Sequence, residues 1–106
     1  MTFLDSEFEF DPVKDALNRK KHGIDFYTAA LVFSDPLRIE RVDDSVGNTN
    51  EERWQTLGKV GKVIFVVYTE RGKRKRIISA RIATKAEKRS YYGYDNNYDK
   101  GWTAAN

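Results

Sequence analysis

The sequence predicts an α+β domain: an antiparallel sheet of about four to five strands, with two N-terminal helices and one C-terminal helix packed on one face of it. Three observations predict this. Apolar residues recur at helical spacing over the first third of the chain, the period changes from about 3.6 to 2 at Leu37, and a helix signal returns only after Ala83. Helices placed before and after a run of strands, and not between them, argue for a meander and against a parallel sheet. A chain of 106 residues is enough for one such domain with one modest core.

The elements follow in order. TFLDSEFEF alternates after Asp5, with Phe8 and Phe10 on one face, and reads as a short strand that stops at Asp11-Pro12. Pro12 suits the first helical position, where its missing N–H has no partner to lose, and Asp11 can cap the neighbouring donors. The helix carries Val13, Ala16 and Leu17 at helical spacing and ends near His22-Gly23. A second helix starts at Asp25, with Phe26, Ala29, Ala30, Val32 and Phe33 as its apolar stripe, and Asp35-Pro36 stops it. From Leu37 to Val42 the period is that of a strand, and DDSVGNTNEE reads as a loop. Arg53–Val60 and Lys62–Thr69 form a hairpin about Gly61, and Arg71-Gly72 turns the chain into a returning strand, Arg74–Ala80. Thr84 with Glu87 three residues later is a capping box for a last helix of roughly Lys85 to Tyr92. Residues 1–92 are expected to form the domain. Residues 93–106 lack any sustained period and are expected to be a flexible tail, which its tyrosines and Trp102 could anchor on a partner or on the domain.

Composition narrows the function. The formal charge is only +3, from 19 Lys and Arg against 16 Asp and Glu, so the distribution has to carry the argument. Residues 1–11 hold four acids and no base, whereas between Lys59 and Arg89 the bases far outnumber the two acids, Glu70 and Glu87. One side of the molecule is therefore expected to be strongly positive. The absence of cysteine removes disulfides, thiolate catalysis and cysteine-based zinc sites. One histidine and scattered carboxylates give no metal-ligand spacing, so neither metal nor other cofactor is expected. The longest apolar run, Val63–Tyr68, is far short of the roughly 20 residues that span a bilayer, and no signal peptide is visible, so no membrane role and a cytoplasmic location are expected.

Three pieces of the chain, FEFDPVKDALNRKKHGIDF with the trailing AALVFSDP, then EERWQTLG, then VVYTERGKRKRIISARIATKAEKRSYY, stand in the order and spacing of a known family. Over about residues 8–92 the sequence resembles the BrnT toxins of bacterial toxin–antitoxin systems, distant relatives of the RelE ribonucleases. Phe10 stands where that family usually has tryptophan. The resemblance implies a RelE-like fold, endoribonuclease activity on RNA, and a cognate BrnA-type antitoxin that neutralises the toxin and supplies operator DNA binding in a hetero-oligomer. The tail inherits nothing from it.

Metal-free RNA cleavage uses the neighbouring 2′-hydroxyl as nucleophile, so the protein must orient it, take its proton and stabilise the charge gathering on the phosphate. Arginine suits the last task, because its planar fork can hold two phosphate oxygens and stays protonated. Arg53, Arg76 and Arg81 are the candidates. On a regular strand Arg76 and Arg81 would point to opposite faces, and could share a site only if Arg81 lay past the strand end. Glu52, beside Arg53, and His22, the single histidine, are the candidate proton carriers; the alternatives are a surface ion pair for Glu52 and helix capping or RNA contact for His22. Lys14 and Lys21, seven residues apart on one helix face, and Lys73 and Lys75 are candidate RNA-binding cations. Tyr91 is a candidate for stacking on a base or for packing under its helix. Tyr68 is expected at a half-buried sheet position and Trp54 in packing, and Ser79 has no nucleophilic role. The same features admit two other classes, a non-catalytic RNA-binding module and a protein whose basic face docks an acidic antitoxin segment.

Overall fold

The computed structural model describes residues 2–3, 6–44, 51–94, 97 and 100–105. Its elements are β1 (Thr2–Phe3), β2 (Phe8–Phe10), α1 (Pro12–His22), α2 (Phe26–Leu31) continued by a 3-10 turn (Val32–Ser34), β3 (Ile39–Val42), β4 (Arg53–Val60), β5 (Lys62–Arg71), β6 (Arg74–Ile82), α3 (Lys85–Tyr91) and β7 (Thr103–Ala104). The α+β class is the one the sequence predicts. Most of the loop expected at DDSVGNTNEE lies outside the described residues.

The strands form one sheet of seven in the order β1-β2-β6-β5-β4-β3-β7. The long β4-β5-β6 meander is antiparallel as expected, with Gly61 and Gly72 at φ 71° and 60° making its two turns. Three features correct the expectation. The sheet is wider than four to five strands because two-residue strands extend both edges. It is mixed, since β2 runs parallel to β6; α1 and α2, with the meander after them, form the long connection that a parallel pair requires. The helices also occupy both faces. One face packs Ile64, Val66, Ile77 and Ala80 against Phe26, Ala29 and Val32 of the α2 segment. The other packs Val63, Phe65, Val67 and Leu57 with Ala83, Tyr91 and Trp102. Alternate residues of β5 serve the two faces, which is why its run reads as wholly apolar.

Helix α1 starts and ends as the sequence predicts, on an Asp11 cap to Val13 N–H (2.9 Å) and on Gly23 at φ 74°. Its facing does not follow the prediction. Val13 and Leu17 are 66% and 62% exposed, and the residue α1 buries is Asn18. Pairing of β6 with β2 involves only residues 75 and 76, so the rest of that edge needs another hydrogen-bonding partner. Asn18 supplies it: its amide donates to the Ala80 carbonyl (2.8 Å) and the Ile24 carbonyl (2.9 Å) and accepts from Ala80 N–H (3.1 Å). At the other end of the sheet Asp35 accepts from the backbone N–H of Leu37 and Lys59 and from the Tyr91 hydroxyl (2.6 Å), joining the α2 segment, β4 and α3. Gly58 is required where β4 passes under that segment, because a Cβ there would lie 2.7 Å from Val32 Cβ.

The C-terminal segment departs from the flexible tail expected of it where it is described. Trp102 is 4% exposed, with the Arg41 guanidinium 4.1 Å over its ring, and β7 pairs with the outer edge of β3. The apolar ring, one of the anchors the sequence offered, is the buried part of the segment.

Candidate functional site

One row of residues crosses the sheet on the face that carries Phe65 and Val67. Arg53 of β4 pairs with Thr69 of β5, Thr69 pairs with Arg76 of β6, and Arg76 pairs with Glu9 of β2. Directly paired residues share a face, so Arg53 and Arg76 stand on the same surface two strands apart, with backbones about 10 Å from each other at the usual strand spacing. Arg76 is held by Glu9, whose Oε2 accepts from both Nε (2.9 Å) and Nη2 (2.7 Å). Glu9 is buried, at 6% exposure, while the Arg76 side chain is 27% exposed and open to a ligand. Arg53 is half-buried and pairs with no carboxylate among the described residues. Thr69, 1% exposed, lies between the two arginines and donates to the Glu52 carbonyl (2.8 Å).

A bulge decides where Arg81 falls. Tyr68 pairs with Ile77 but Val67 pairs with Ser79, so Ile78 is an extra residue and the alternation of β6 slips by one. Arg81 therefore shares the face of Arg76, opposite to what regular alternation requires. It is engaged there: its guanidinium lies 4.0 Å over Phe65 and makes two bonds to Glu87 (2.7 and 3.0 Å), which also accepts from Thr84 N–H. Burial raises the Glu87 pKa, but the Arg81 and Thr84 bonds outweigh it and hold the carboxyl below its ordinary range. Arg81 thus fastens the start of α3 to the sheet.

The other sequence candidates separate into groups. Lys14, Lys21 and His22 come together in a shallow cleft between α1 and β6, with Leu17, Ile78 and Ser79. Its β6 residues, Ile78 and Ser79, follow Arg76 along the same strand. Lys73 and Lys75 line a different cavity. Glu52 is exposed and enters the site only through its carbonyl. Its neighbour Glu51 has the side chain that reaches the row, bound to Arg71 through both oxygens (2.7 and 2.6 Å) and held below its ordinary pKa by that pairing. Tyr91 is engaged in packing and not presented for stacking: it lies against the core of its face and donates to Asp35. Burial and that carboxylate raise its pKa. Tyr68, expected half-buried, is 2% exposed and donates to Glu40 (2.8 Å). Glu9 and Glu51 escaped the sequence reading. Their one available signal was acidic residues next to apolar strand positions, and the partners that give them meaning are 67 and 20 residues away in sequence.

The row brings a clamped guanidinium, a second guanidinium without a carboxylate and a buried carboxylate onto one open surface. It is suited to binding a phosphodiester and stabilising added charge on it. No group of three His, Cys, Asp or Glu side chains among the described residues is placed to hold a metal ion, and no described helix is long and apolar enough to cross a membrane.

Among solved structures, the chain is similar in fold to the Brucella abortus ribonuclease toxin BrnT, with a TM-score of 0.55 and 22% sequence identity over 76% of this chain and the whole of that one. A search of curated proteins finds no match. The model of the family described as "Ribonuclease toxin, BrnT, of type II toxin-antitoxin system" matches residues 10–87, a span that holds Arg53 and Arg76 of the row but not Glu9. The chain belongs to the BrnT family of ribonuclease toxins of type II toxin–antitoxin systems.

Proposed function

We propose that the protein is an endoribonuclease that cleaves RNA without a metal, by attack of a 2′-hydroxyl on the adjacent phosphorus and departure of the 5′-oxygen. The observation that carries this reading is the Glu9–Arg76–Thr69–Arg53 row. Arg53 and Arg76 bind the non-bridging oxygens and stabilise them as charge accumulates, a contribution worth about 10²–10³ in rate for one well-placed donor. Glu9 fixes the Arg76 fork and lies beside any phosphate that Arg76 holds, which makes it the proton acceptor of this reading in place of Glu52. Lys14, Lys21 and His22 hold the RNA backbone that runs on along β6, and His22 acts there as a contact. Arg81 supports the site through α3.

The cytoplasm is the compartment of this activity, and a BrnA-type antitoxin is the partner. It neutralises the toxin by covering the arginine row, and the resulting hetero-oligomer binds operator DNA through the antitoxin. Growth arrest on expression tests the reading. Arg53→Ala and Arg76→Ala each abolish arrest while the circular dichroism spectrum stays that of the wild type. Full toxicity in both variants removes the row from the mechanism. An RNA-binding module would instead give salt-dependent binding and no cleaved product.

A further inference from the structure

On the sheet face opposite Arg53 and Arg76, a cavity of about 190 Å³ is lined by Arg38, Lys73, Lys75, Ser34, Phe33 and Glu7, among others. Its lining holds three cations and one carboxylate, and two of the cations have a carboxylate beside the cavity, Lys75 with Glu70 at 3.8 Å and Arg38 with Glu40. Arg38 is the unusual member. It is only 7% exposed, both of its side-chain hydrogen bonds use Nη1 (to Glu40 Oε2 and Thr56 Oγ1, each 3.2 Å), and its Nε is buried with no partner. The same Glu40 oxygen also accepts from the Tyr68 hydroxyl, so one carboxylate oxygen is divided between a buried cation and a phenol. Arg38 shares its one carboxylate partner with Tyr68 and lines the cavity beside two lysines, so this wall is electropositive and favours a further anion.

We propose that this cavity binds a phosphate group. Its volume is room for about six waters at the ~30 Å³ that each occupies in the liquid, enough for a tetrahedral oxyanion. Arg38 forms the buried wall, Lys75 and Lys73 close the outer side, and the Ser34 hydroxyl is an added donor. Phosphate is recognised and not a nucleobase, because the Phe33 ring is already packed by Arg38 (4.6 Å), Lys75 (5.9 Å), Tyr68 (4.9 Å) and Phe8 (5.2 Å). Alternation at the start of β6 splits its cations between the two faces, Lys75 to this cavity and Arg76 to the row. The site is therefore separate from the residues proposed for cleavage and does not depend on that activity. The group it holds comes either from RNA, as a terminal phosphate of a strand passing over the turn, or from free phosphate compounds.

Calorimetric titration of the full chain with inorganic phosphate tests this. Binding at one site, weakened at least about tenfold in Lys73→Gln/Lys75→Gln and in Arg38→Gln, is the expected result, since each lost contact is a charge-assisted bond. The lysine pair is partly exposed and its replacement leaves the core intact, so it decides the matter if Arg38→Gln does not fold. Binding that is absent in the wild type, or equal in the lysine variant, overturns the proposal. A second arm compares 2′-O-methyl oligonucleotides with and without a 5′-phosphate. Tighter binding of the phosphorylated strand, lost in the lysine variant, assigns the site to RNA ends; equal binding of both strands beside retained phosphate binding assigns it to free phosphate compounds.

Discussion

Carboxylates that hold other groups in place do most of the organising in this molecule. Glu9 clamps Arg76, Glu87 clamps Arg81, and Asp35 gathers two backbone N–H groups and a tyrosine. Burial alone would raise the Asp35 pKa, yet the Tyr91, Leu37 and Lys59 bonds hold it below the ordinary carboxylate value. A group whose native pKa is lowered adds stability that is fully present above its unfolded pKa, near 4, and is lost as pH falls through the native value. Thermal stability measured between pH 7 and pH 2 should therefore fall on the acid side. In Asp35→Asn that fall should be shallower and the pH 7 stability lower. An identical acid profile in the variant would show that Asp35 does not carry this linkage.

At the scale of elements, what the sequence made legible was local. Asp11 and Gly23 bound α1, the Thr84–Glu87 box starts α3, and Gly61 and Gly72 turn the meander, because each signal acts within a few residues of its effect. What escaped was set by long-range pairing. The bulge at Ile78 exists only in the register of β6 against β5, and it turned the facing of Arg81 around. Likewise the Val13–Leu17 stripe predicted an inward face for α1, but that helix lies against a strand edge, where a polar amide is worth more than an apolar side chain. Replacing Asn18 with leucine should strip the Ala80 N–H and the Ala80 and Ile24 carbonyls of their partner and cost about 3 kcal/mol or more, at roughly 1–3 kcal/mol for each buried group left unsatisfied. Urea unfolding checks it; a loss under about 0.5 kcal/mol would mean that water replaces the amide.

For the whole molecule, two cores on opposite faces of one sheet place α2 and the arginine row on separate sides, with α1 along the β6 edge between them. The charge asymmetry legible in the sequence, an acidic start and a basic second half, becomes a parallel contact between β2 and β6 that sets Glu9 against Arg76. The C-terminal segment completes the second core. Trp102→Ala should destabilise by about 3 kcal/mol, as large-to-small changes of buried aromatics do, with a matching fall in melting temperature. A change below about 1 kcal/mol would mean that the segment packs without bearing on stability.

The central claim is that the arginine row with Glu9 cleaves RNA on its own, and it is tested most directly by incubating purified protein with end-labelled RNA in excess EDTA, beside Arg76→Ala and Glu9→Gln. The account predicts that the wild type cuts and leaves 2′,3′-cyclic phosphate ends, and that both variants lose activity by about 10²-fold or more. Cleavage that disappears with EDTA and returns with a divalent cation, or that persists unchanged in both variants, would contradict it.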